Sequence, residues 1–570
     1  MKEGFKFRIR LIYLFIFLFG AVLTTRLFFI QVVKGNYYED LANQQYVAPA
    51  GEYFDRGSIY FKEKNGQIFS AAVIKKGFQL AVNPKILENS EDAYQKLSEI
   101  IVLDKNDFFQ RVKKKDDPYE IVARRLDNET AKKISDLKIK GVNVFLENWR
   151  HYPADNLASH ILGFVGYKKD FLLGRYGLEQ YYENILSRGE ENNFINSFAE
   201  IFTDIKKSII NNPEKGDIVL TIEPTVQSLL EKTLEKTMEK YKSQLAGGII
   251  IEPKTGKILA MAVKPDFNPN FYNEVKDLSI FINPLVENVF EMGSIMKPLT
   301  LAAGLDQEKI TPQTTYENKG YVTINGKRIE NYDIDKYLGK RTMQEVLNYS
   351  LNSGVIFAMQ QMGKEKFQEY LINYGFTEKT NIDLSQETTG MLSNVIDSPR
   401  EIEYATASFG QGIAVTPIAM TTALSSLANG GVLMKPYVVE EIKIKEGKDI
   451  KIEPQVKKQV LKKESAEEIS QMLVEVFDKA LMDGIYKIEH YSVAAKTGTA
   501  QVIKEGEKGY EEGEYIHTFF GYAPAFDAKF LTFLLLVKPQ GVRYASHSLS
   551  EPFVNIVKFL LNYYKVAPDR

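Results

Sequence analysis

The sequence predicts a multidomain α+β protein with an N-terminal transmembrane helix, a mixed α/β middle region, and a C-terminal domain in which helices flank a five-stranded antiparallel sheet. At 570 residues the chain is too long for one ordinary core. An uncharged apolar run stands near its start. Near Lys215 short strands and charged helices give way to long apolar runs. We therefore expect a tail at 1–10, an anchor at 11–33, a middle domain at 34–215 and a C-terminal domain at 216–570.

The N-terminal segment has the pattern of an uncleaved single-pass anchor. Leu11–Thr25 is an uncharged run of fifteen residues. As a helix this run spans about 22 Å, short of the roughly 30 Å hydrocarbon core. The span must therefore continue to Val33, with Arg26 reaching the outer interface or meeting a partner. Basic residues precede the run, so the N-terminus is predicted in the cytoplasm and the later domains outside. A cleaved signal peptide would need a small-residue cleavage site, which the sequence lacks.

Composition excludes several functional classes. The formal charge is −2, so no strong field favours nucleic-acid binding. The chain has no cysteine, which excludes disulfides, thiol nucleophiles and cysteine-ligated metals. No cofactor and no metal are expected.

The middle region contains no catalytic cluster but carries three charged signatures. Arg56 stands in an extended Arg-Gly turn, Arg150 precedes an extended X-Pro segment, and Glu179 lies in a loop punctuated by glycines. Opposite buried charges would make these side chains an internal network, although the sequence leaves open whether they meet. The stretch 190–215 could form an amphipathic helix, so the domain boundary is open as well.

The C-terminal region supplies the predicted sheet and its helices. A helix is expected at Thr225–Lys242, followed by the hairpin GGIIIEPKTGKILAMAV. Three late apolar runs, HYSVAAKTGTAQV, IHTFFGYAPA and KFLTFLLLVKP, complete five strands, and the helix EPFVNIVKFLLNYY follows. Two capping boxes, Thr342–Glu345 and Ser465–Glu468, mark predicted helix starts between the hairpin and these runs.

Three short motifs carry the candidate chemistry: Ser294-x-x-Lys297, Ser350-Leu351-Asn352, and Lys496-Thr497-Gly498-Thr499. A serine nucleophile needs a nearby base, and a lysine three residues on shares its helical face. Lys297 is the only charge between Met292 and Leu305, so this helix is predicted to be buried. Burial disfavours a charged ammonium, and a lysine with a lowered pKa is a usable base.

Second copies of two motifs test this interpretation. Ser135 and Lys138 also form an S-x-x-K, but in a charge-dense segment where the lysine should be solvated. Lys254 begins a second K-T-G between two apolar runs, which is typical of a hairpin turn. The functional assignment therefore goes to Ser294 and Lys496. In isolation Ser350 and Asn352 fit a helix-to-helix turn, and Lys496 fits a charge that protects an edge strand.

The ordered triple, with 56 residues from Ser294 to Ser350 and 144 from Asn352 to Lys496, resembles a penicillin-binding transpeptidase domain. The phrases GDIVLTIEPTVQ, PKTGKILAMAVKPDFNPN, FEMGSIMKP, FGQGIAVTP and LANGG resemble the class B, monofunctional group. RGSIY, RHYP and GLEQYY resemble that group's non-catalytic pedestal, a dimerisation-type domain. The resemblance covers nearly the whole chain. The tail LLNYYKVAPDR and the short loop between Gly166 and Gly174 favour the division-type (penicillin-binding protein 3-like) subgroup over the elongation type.

The resemblance implies D,D-transpeptidation of peptidoglycan stem peptides through an acyl-enzyme that β-lactams also form. Ser294 would attack the penultimate D-Ala carbonyl and Lys297 would take its proton. Ser350 would relay a proton to the leaving amine. Asn352 would orient Lys297 and the substrate amide.

The third motif is expected to bind substrate. Lys496, Thr497 and Thr499 would hold the terminal carboxylate, with Gly498 between them. The backbone N–H groups of Ser294 and Thr499 would form the oxyanion hole. Expected partners are stem peptides, β-lactams, the membrane, a polytopic glycosyltransferase and other division or elongation proteins.

Other activities stay open at this level. A β-lactamase would need a carboxylate to position water, and the sequence cannot assign that role to Glu387 or Glu403. A D,D-carboxypeptidase would use the same residues with water as acceptor. A β-lactam sensor would need a cytoplasmic signalling segment, and a divisome scaffold would need no chemistry. A bifunctional enzyme would need a polymerising domain, for which residues 34–215 offer no recognised glutamate motif.

Overall fold

The computed structural model describes residues 17–26, 54–168, 171–188, 215–445, 447–504, 506 and 509–570. Most of the predicted anchor and the stretch 189–214 lie outside these residues, and residues 17–26 are helical. Within the described residues, no helix combines the length and apolarity that a membrane crossing requires. The described chain forms two compact units: one contains Ile74–Trp149, and the other contains Arg56–Val73 and the described residues from Arg150 onward. The predicted domain boundary at residue 215 stays a prediction.

The elements up to residue 220 alternate between strands and short helices. The strands are β1 (Ile59–Lys62), β2 (Ile68–Val82), β3 (Glu120–Leu126), β4 (Val142–His151), β5 (Phe164–Lys168), β6 (Phe171–Arg175) and β7 (Gly216–Leu220). The helices are α1 (Ser90–Ser98), α2 (Lys105–Val112), α3 (Asn128–Asp136), α4 (Ser159–Leu162), α5 (Gly177–Tyr181) and α6 (Glu183–Leu186).

Beyond residue 220 the chain holds the sheet and the helices of the C-terminal region. The strands are β8 (Leu245–Ile251), β9 (Ile258–Lys264), β10 (Thr315–Asn318), β11 (Tyr321–Ile324), β12 (Lys327–Glu330), β13 (Gly339–Thr342), β14 (Val432–Met434), β15 (Val439–Ile444), β16 (Ile450–Lys451), β17 (Val456–Gln459), β18 (Ala494–Ile503), β19 (Tyr510–Ala523) and β20 (Phe530–Val537). The α-helices are α7 (Pro224–Tyr241), α8 (Pro284–Glu287), α9 (Lys297–Asp306), α10 (Met343–Asn348), α11 (Asn352–Met362), α12 (Lys364–Asn373), α13 (Ser393–Ile396), α14 (Glu401–Ala407), α15 (Pro417–Leu427), α16 (Lys463–Glu475) and α17 (Ala545–Tyr563). Short 3₁₀ helices occupy Pro269–Glu274, Leu278–Phe281, Gly293–Met296 and Leu481–Gly484, and a π turn occupies Val476–Ala480.

The smaller unit is a sheet packed against three helices. The far half of β2 pairs antiparallel with β3 from Phe78 opposite Leu126 to Val82 opposite Glu120, with shifts in register between Phe78 and Leu80 and between Leu80 and Ala81. Helices α1, α2 and α3 each begin at an Asn or Asp whose side chain accepts a backbone N–H, which satisfies one of the unpaired donors at a helix start. Leu80, Leu97 and Phe108 lie in the core between sheet and helices.

The predicted five-stranded antiparallel sheet is confirmed in the larger unit. Its strand order is β18-β19-β20-β8-β9, and each neighbouring pair is antiparallel. Helices α7 and α17 cover one face, where Leu230, Phe519 and Phe553 are fully buried. The other face packs against a helical layer that includes α9, α15 and α16. Strand β18, which carries Lys496, is an edge strand of this sheet.

Two predicted helix starts differ from the structure. The Thr342–Glu345 capping box is present at the start of α10. The Ser465–Glu468 box is wrong, because α16 already begins at Lys463 and Ser465 is buried within it. Helix α17 begins at Ala545 rather than near Glu551, and Pro552 lies inside it. Ala545 and Leu549 are buried there, so packing extends the helix past the proline that would usually mark its start.

Candidate active site

Ser294 lies on a tight turn that two glycines and a threonine hold in place. It is half-buried on the 3₁₀ turn Gly293–Met296, directly before α9. Gly293 has φ +60°, its N–H donates to the Gly410 carbonyl at 3.1 Å, and Thr518 Oγ1 donates to the Met292 carbonyl at 2.9 Å. A Cβ at Gly293 would lie 2.8 Å from the Thr499 carbonyl oxygen, closer than a side chain tolerates. The turn therefore places Ser294 against the strand of the third motif.

Lys297 is the first residue of α9 and is fully buried, as the sequence predicted. All ten residues of this helix are buried. The Lys297 Nζ donates to the Ser350 carbonyl at 2.5 Å and to Ser350 Oγ at 3.1 Å. Burial, and then the charge of Lys496, lowers the pKa of Lys297 well below its ordinary value. Burial thus favours the neutral amine of Lys297, one residue after the turn that bears Ser294.

Lys496 reaches the same hydroxyl from strand β18. Its Nζ donates to Ser350 Oγ at 3.2 Å and to the Thr497 carbonyl at 3.0 Å. It is 4% exposed, and burial lowers its pKa to about 8. Two ammonium groups on one hydroxyl repel each other, so the arrangement favours a neutral Lys297 beside a charged Lys496.

Ser350 stands at a backbone position that few non-glycine residues adopt. It has φ +56° and joins α10 to α11, the helix-to-helix turn that its residue type favours. Its neighbour Tyr349 stacks on Tyr337 with the ring centroids 3.8 Å apart and the planes within 9°. This stack packs beside the turn from which the Ser350 hydroxyl contacts both lysines.

Asn352 begins α11, and its side chain has a backbone partner. Its Nδ2 donates to the Glu330 carbonyl at 2.9 Å. Behind it lies a buried polar network in which Asn331 Oδ1 accepts the Ser353 N–H at 3.0 Å, and Asn318 Oδ1 accepts from Ser353 Oγ at 3.0 Å. The structure therefore ties Asn352 to the chain at Glu330–Asn331, and its predicted contact with Lys297 stays a prediction.

The third motif runs along the edge strand β18. Gly498 lies so close to the nucleophile turn that a Cβ there would be 2.7 Å from the Met292 carbonyl oxygen. Thr497 and Thr499 are half-buried, and Thr499 Oγ1 accepts the Ala545 N–H at 3.1 Å. Ala545 begins α17. The third motif thus lies on the edge strand of the sheet, with Gly498 against the turn that bears Ser294.

The second copies of the motifs have the surroundings that the sequence predicts for them. Ser135 and Lys138 are exposed, and Ser135 Oγ donates to the Ala131 carbonyl of its own helix. Lys254 lies in the turn between β8 and β9, paired with Asp527. The charged signatures of the middle region do meet: Glu179 accepts from Arg56 Nε and from Arg150 Nε, each at 2.6 Å.

Sequence reasoning missed the residues that support the motifs. Gly410 stands in the phrase FGQGIAVTP, whose only signal in the sequence is its family resemblance. Thr518, Asn318 and Asn331 carry no signal in the sequence, because each acts through a contact between elements distant along the chain.

Two family profiles match the chain. The one described as penicillin binding protein transpeptidase domain matches residues 246–558. The one described as penicillin-binding protein dimerisation domain matches residues 53–221.

Relatives and solved structures agree with these profiles. Stage V sporulation protein D of Bacillus subtilis is 32% identical over 98% of this chain and 86% of its own length. Peptidoglycan D,D-transpeptidase FtsI of Buchnera aphidicola subsp. Baizongia pistaciae is 24% identical over 100% of this chain and 97% of its own. The crystal structure of penicillin binding protein 2X from Streptococcus thermophilus aligns with a TM-score of 0.72 at 20% identity, over 90% of this chain and 80% of that one.

Proposed function

The chain belongs to the penicillin-binding protein transpeptidase family, and from this premise we propose the mechanism by which its own residues act. The protein is a serine acyltransferase, a peptidoglycan D,D-transpeptidase that cross-links stem peptides and binds β-lactams. The observation that carries the assignment of residues is the convergence of Lys297 and Lys496 on Ser350 Oγ, beside the turn that bears Ser294.

Acylation begins at Ser294. Its Oγ attacks the penultimate D-Ala carbonyl carbon while neutral Lys297 takes the hydroxyl proton. The burial and lowered pKa of Lys297 support this role. The backbone N–H groups of Ser294 and Thr499 are the proposed oxyanion hole, and losing one such donor costs on the order of 3 kcal/mol in the transition state. The close approach of Gly293 to the Thr499 backbone supports that placement.

Ser350 passes a proton to the leaving amine as the tetrahedral intermediate collapses. Its hydroxyl lies within hydrogen-bond distance of both lysine ammonium positions, so a proton taken by Lys297 can leave through Ser350 and release D-Ala. Asn352 is proposed to orient the substrate amide. An amine of a second stem peptide then attacks the ester carbonyl, Ser294 leaves with a proton, and the cross-link forms.

Lys496, Thr497, Gly498 and Thr499 bind the substrate's terminal carboxylate. A buried ammonium beside two hydroxyls suits a carboxylate, because charge-assisted hydrogen bonds are about twice as strong as neutral ones. The free edge of β18 leaves the backbone of this motif open to an extended peptide.

The two carboxylates considered for a hydrolytic role have local structural partners. Glu387 accepts from the Thr380 and Asn381 backbone N–H groups, and Glu403 pairs with Arg400. These contacts favour transfer to an amine over rapid hydrolysis, and so a transpeptidase over a β-lactamase.

We also propose a membrane location and a role in septal wall synthesis. The apolar run Leu11–Val33 would anchor the chain in the cytoplasmic membrane, with the catalytic domain outside and residues 1–10 inside. The septal role and a polytopic glycosyltransferase as partner follow from the resemblance to the division-type subgroup, and two relatives carry the name peptidoglycan D,D-transpeptidase FtsI. The 32% identical relative has a sporulation name, so a sporulation-specific role is the second candidate. Depletion of the protein separates the two, because filamentation indicates division and normal rods with defective spores indicate sporulation.

Covalent labelling tests the enzymatic proposal. Fluorescent penicillin should form one adduct that peptide mapping locates at Ser294. Ser294→Ala should lose all labelling, whereas the matched variant Ser135→Ala should label like the wild type. Label retained in Ser294→Ala, or mapped elsewhere, would overturn the assignment.

A chase separates transferase from hydrolase. After labelling, excess unlabelled drug is added and the remaining adduct is followed by gel fluorescence. Persistence over many minutes supports the transferase. Loss within seconds favours a β-lactamase.

A further inference from the structure

The stretch immediately before Ser294 is hydrogen-bonded at both ends to the loop 410–415. The Phe290 N–H donates to the Val415 carbonyl and the Val415 N–H to the Phe290 carbonyl, each at 3.0 Å. Together with the bond from Gly293 to Gly410, these contacts fix both ends of the stretch 290–293. Glu291 lies between them, three residues before the nucleophile.

The Glu291 side chain is buried and has no cationic partner among the described residues. It is 4% exposed, and its Oε1 accepts the Gly412 N–H at 2.8 Å. The Tyr510 hydroxyl lies 3.3 Å from Oε1 and 3.2 Å from Oε2. A buried carboxyl is costly unless its hydrogen bonds are used, so this placement requires an explanation that the catalytic motifs do not supply.

Tyr510 belongs to the hairpin that carries the substrate-binding motif. It is the first residue of β19 and pairs with Ile503, the last residue of β18. Strand β18 also contains Lys496 and Thr499. Because β18 is an edge strand, its end at Ile503 is held by β19 and by the groups that hydrogen-bond to Tyr510.

We propose that Glu291 is a positioning residue that fastens the β18–β19 hairpin and the 410–415 loop to the nucleophile turn, and so sets the rate at which Ser294 is acylated. One carboxyl joins the three pieces of chain that must stay in register for substrate carboxylate and reacting serine to be aligned. This inference rests on the proposed function, which it deepens.

The hydrogen bond from Tyr510 to Glu291 should depend on pH. Burial raises the pKa of Glu291 to about 7, while the bonds from Gly412 and Tyr510 favour the carboxylate. Tyr510 is the titratable group that faces Glu291 among the described residues, and the loop 410–415 contributes no charged side chain. A hydroxyl donor binds a carboxylate more strongly than a carboxylic acid. The coupling between Glu291 and Tyr510 should therefore grow as the pH rises through 7.

A double-mutant cycle on the full-length protein tests the proposal. The second-order rate constant for acylation by fluorescent penicillin is measured for the wild type, Glu291→Gln, Tyr510→Phe and the double variant, at pH 6 and pH 8. We expect Tyr510→Phe to slow acylation about tenfold at pH 8, the effect of one hydrogen bond to a charged group. It should slow acylation less at pH 6, and the same change in the Glu291→Gln background should have little effect at either pH. Effects of Lys297 and Lys496 titration are common to all four proteins and cancel in the cycle.

Matched control variants show whether the effect is specific to the Glu291–Tyr510 hydrogen bond. Glu287→Gln changes a half-buried carboxyl four residues before Glu291, and Tyr515→Phe removes another hydroxyl from β19; both should acylate like the wild type. Hydrogen exchange of the β18 peptide should rise in Tyr510→Phe at pH 8. Additive effects of Glu291→Gln and Tyr510→Phe, or a coupling equal at both pH values, would overturn the inference. A wild type that fails to acylate at all would overturn the proposed function instead.

Discussion

At the scale of single residues, Lys297 and Lys496 show how placement divides one chemical group into two roles. Both side chains end on Ser350 Oγ, at 3.1 and 3.2 Å. Lys297 is deeper and feels the charge of Lys496 in addition to burial, so its pKa is lowered further. The proposed base and the proposed carboxylate-binding cation would therefore differ through their surroundings and not through their residue type.

The pKa of Lys496 predicts an alkaline limit to acylation. The pKa is lowered to about 8, so the ammonium is lost above that pH. Because the charged form binds the substrate carboxylate, the second-order rate constant, which reports groups of the free enzyme, should fall about tenfold per pH unit above the pKa. Lys496→Arg stays charged at every accessible pH and should remove this limb, at some cost in maximal rate. A wild-type profile that stays flat to pH 9.5, or a limb that persists in Lys496→Arg, would contradict the role.

At the scale of elements, the site depends on how closely β18 approaches the nucleophile turn. Both Gly293 and Gly498 face backbone at distances that exclude a Cβ. Strand and turn therefore contact each other directly, which brings the Thr499 backbone to Ser294. The same close contact leaves no space for a side-chain atom at Gly293 or Gly498.

Gly498→Ala should separate chemistry from folding. Its new Cβ would meet the Met292 carbonyl oxygen at 2.7 Å and Thr518 Oγ1 at 2.3 Å. Overpacking of this kind costs about 1–3 kcal/mol, but a misplacement near 1 Å slows catalysis about a hundredfold. Acylation rates and urea midpoints measure the two effects. Gly326→Ala is the control, because it strains a positive φ with nothing within 4 Å, and it should acylate like the wild type.

The sequence predicted those elements whose signal is local. The five strands follow from apolar runs, and α9 follows from a stretch in which Lys297 is the only charge. The start of α17 was missed because Pro552 is a strong local signal, whereas the packing of Leu549 is not local. The partner of Asn352 was missed for the same reason, since Glu330 approaches it through the fold alone.

At the scale of the whole molecule, the larger unit holds segments far apart in sequence through buried charge. Arg56, Arg150 and Glu179 are almost completely buried, and Arg56 also pairs with Glu183 at 2.8 Å. Burial alone would raise the pKa of Glu179, but Arg150 and Arg56 together lower it. The carboxylate therefore completes a closed set of charges, in which Arg56 and Glu179 are 123 positions apart in the sequence.

Removing the Glu179 carboxylate should lower the stability of the larger unit and leave acylation by penicillin unchanged. Glu179→Gln leaves two buried guanidinium groups without their shared counter-charge, a change that typically costs 3–5 kcal/mol, so we expect a loss of about that size at pH 7. Denaturant unfolding measures it, and penicillin acylation of the folded variant should match the wild type because Ser294 is not part of the network. The surface variant Glu129→Gln, whose partner Lys133 is exposed, should cost no more than about 1 kcal/mol.

The pH dependence of the stability difference between the wild type and Glu179→Gln shows whether the charge of Glu179 causes it. The pKa of Glu179 is lower in the folded protein than in the unfolded chain, so its stabilising contribution is fully present above the unfolded pKa, about 4.5. This contribution is lost as the pH falls through the lower pKa of the folded protein, because the Glu179 carboxylate of the wild type then becomes protonated. The stability gap between wild type and Glu179→Gln should therefore be constant from pH 7 to 5 and close below that. A gap that persists in strong acid would mean that the glutamine acts through packing, and that the ion network does not hold these segments together.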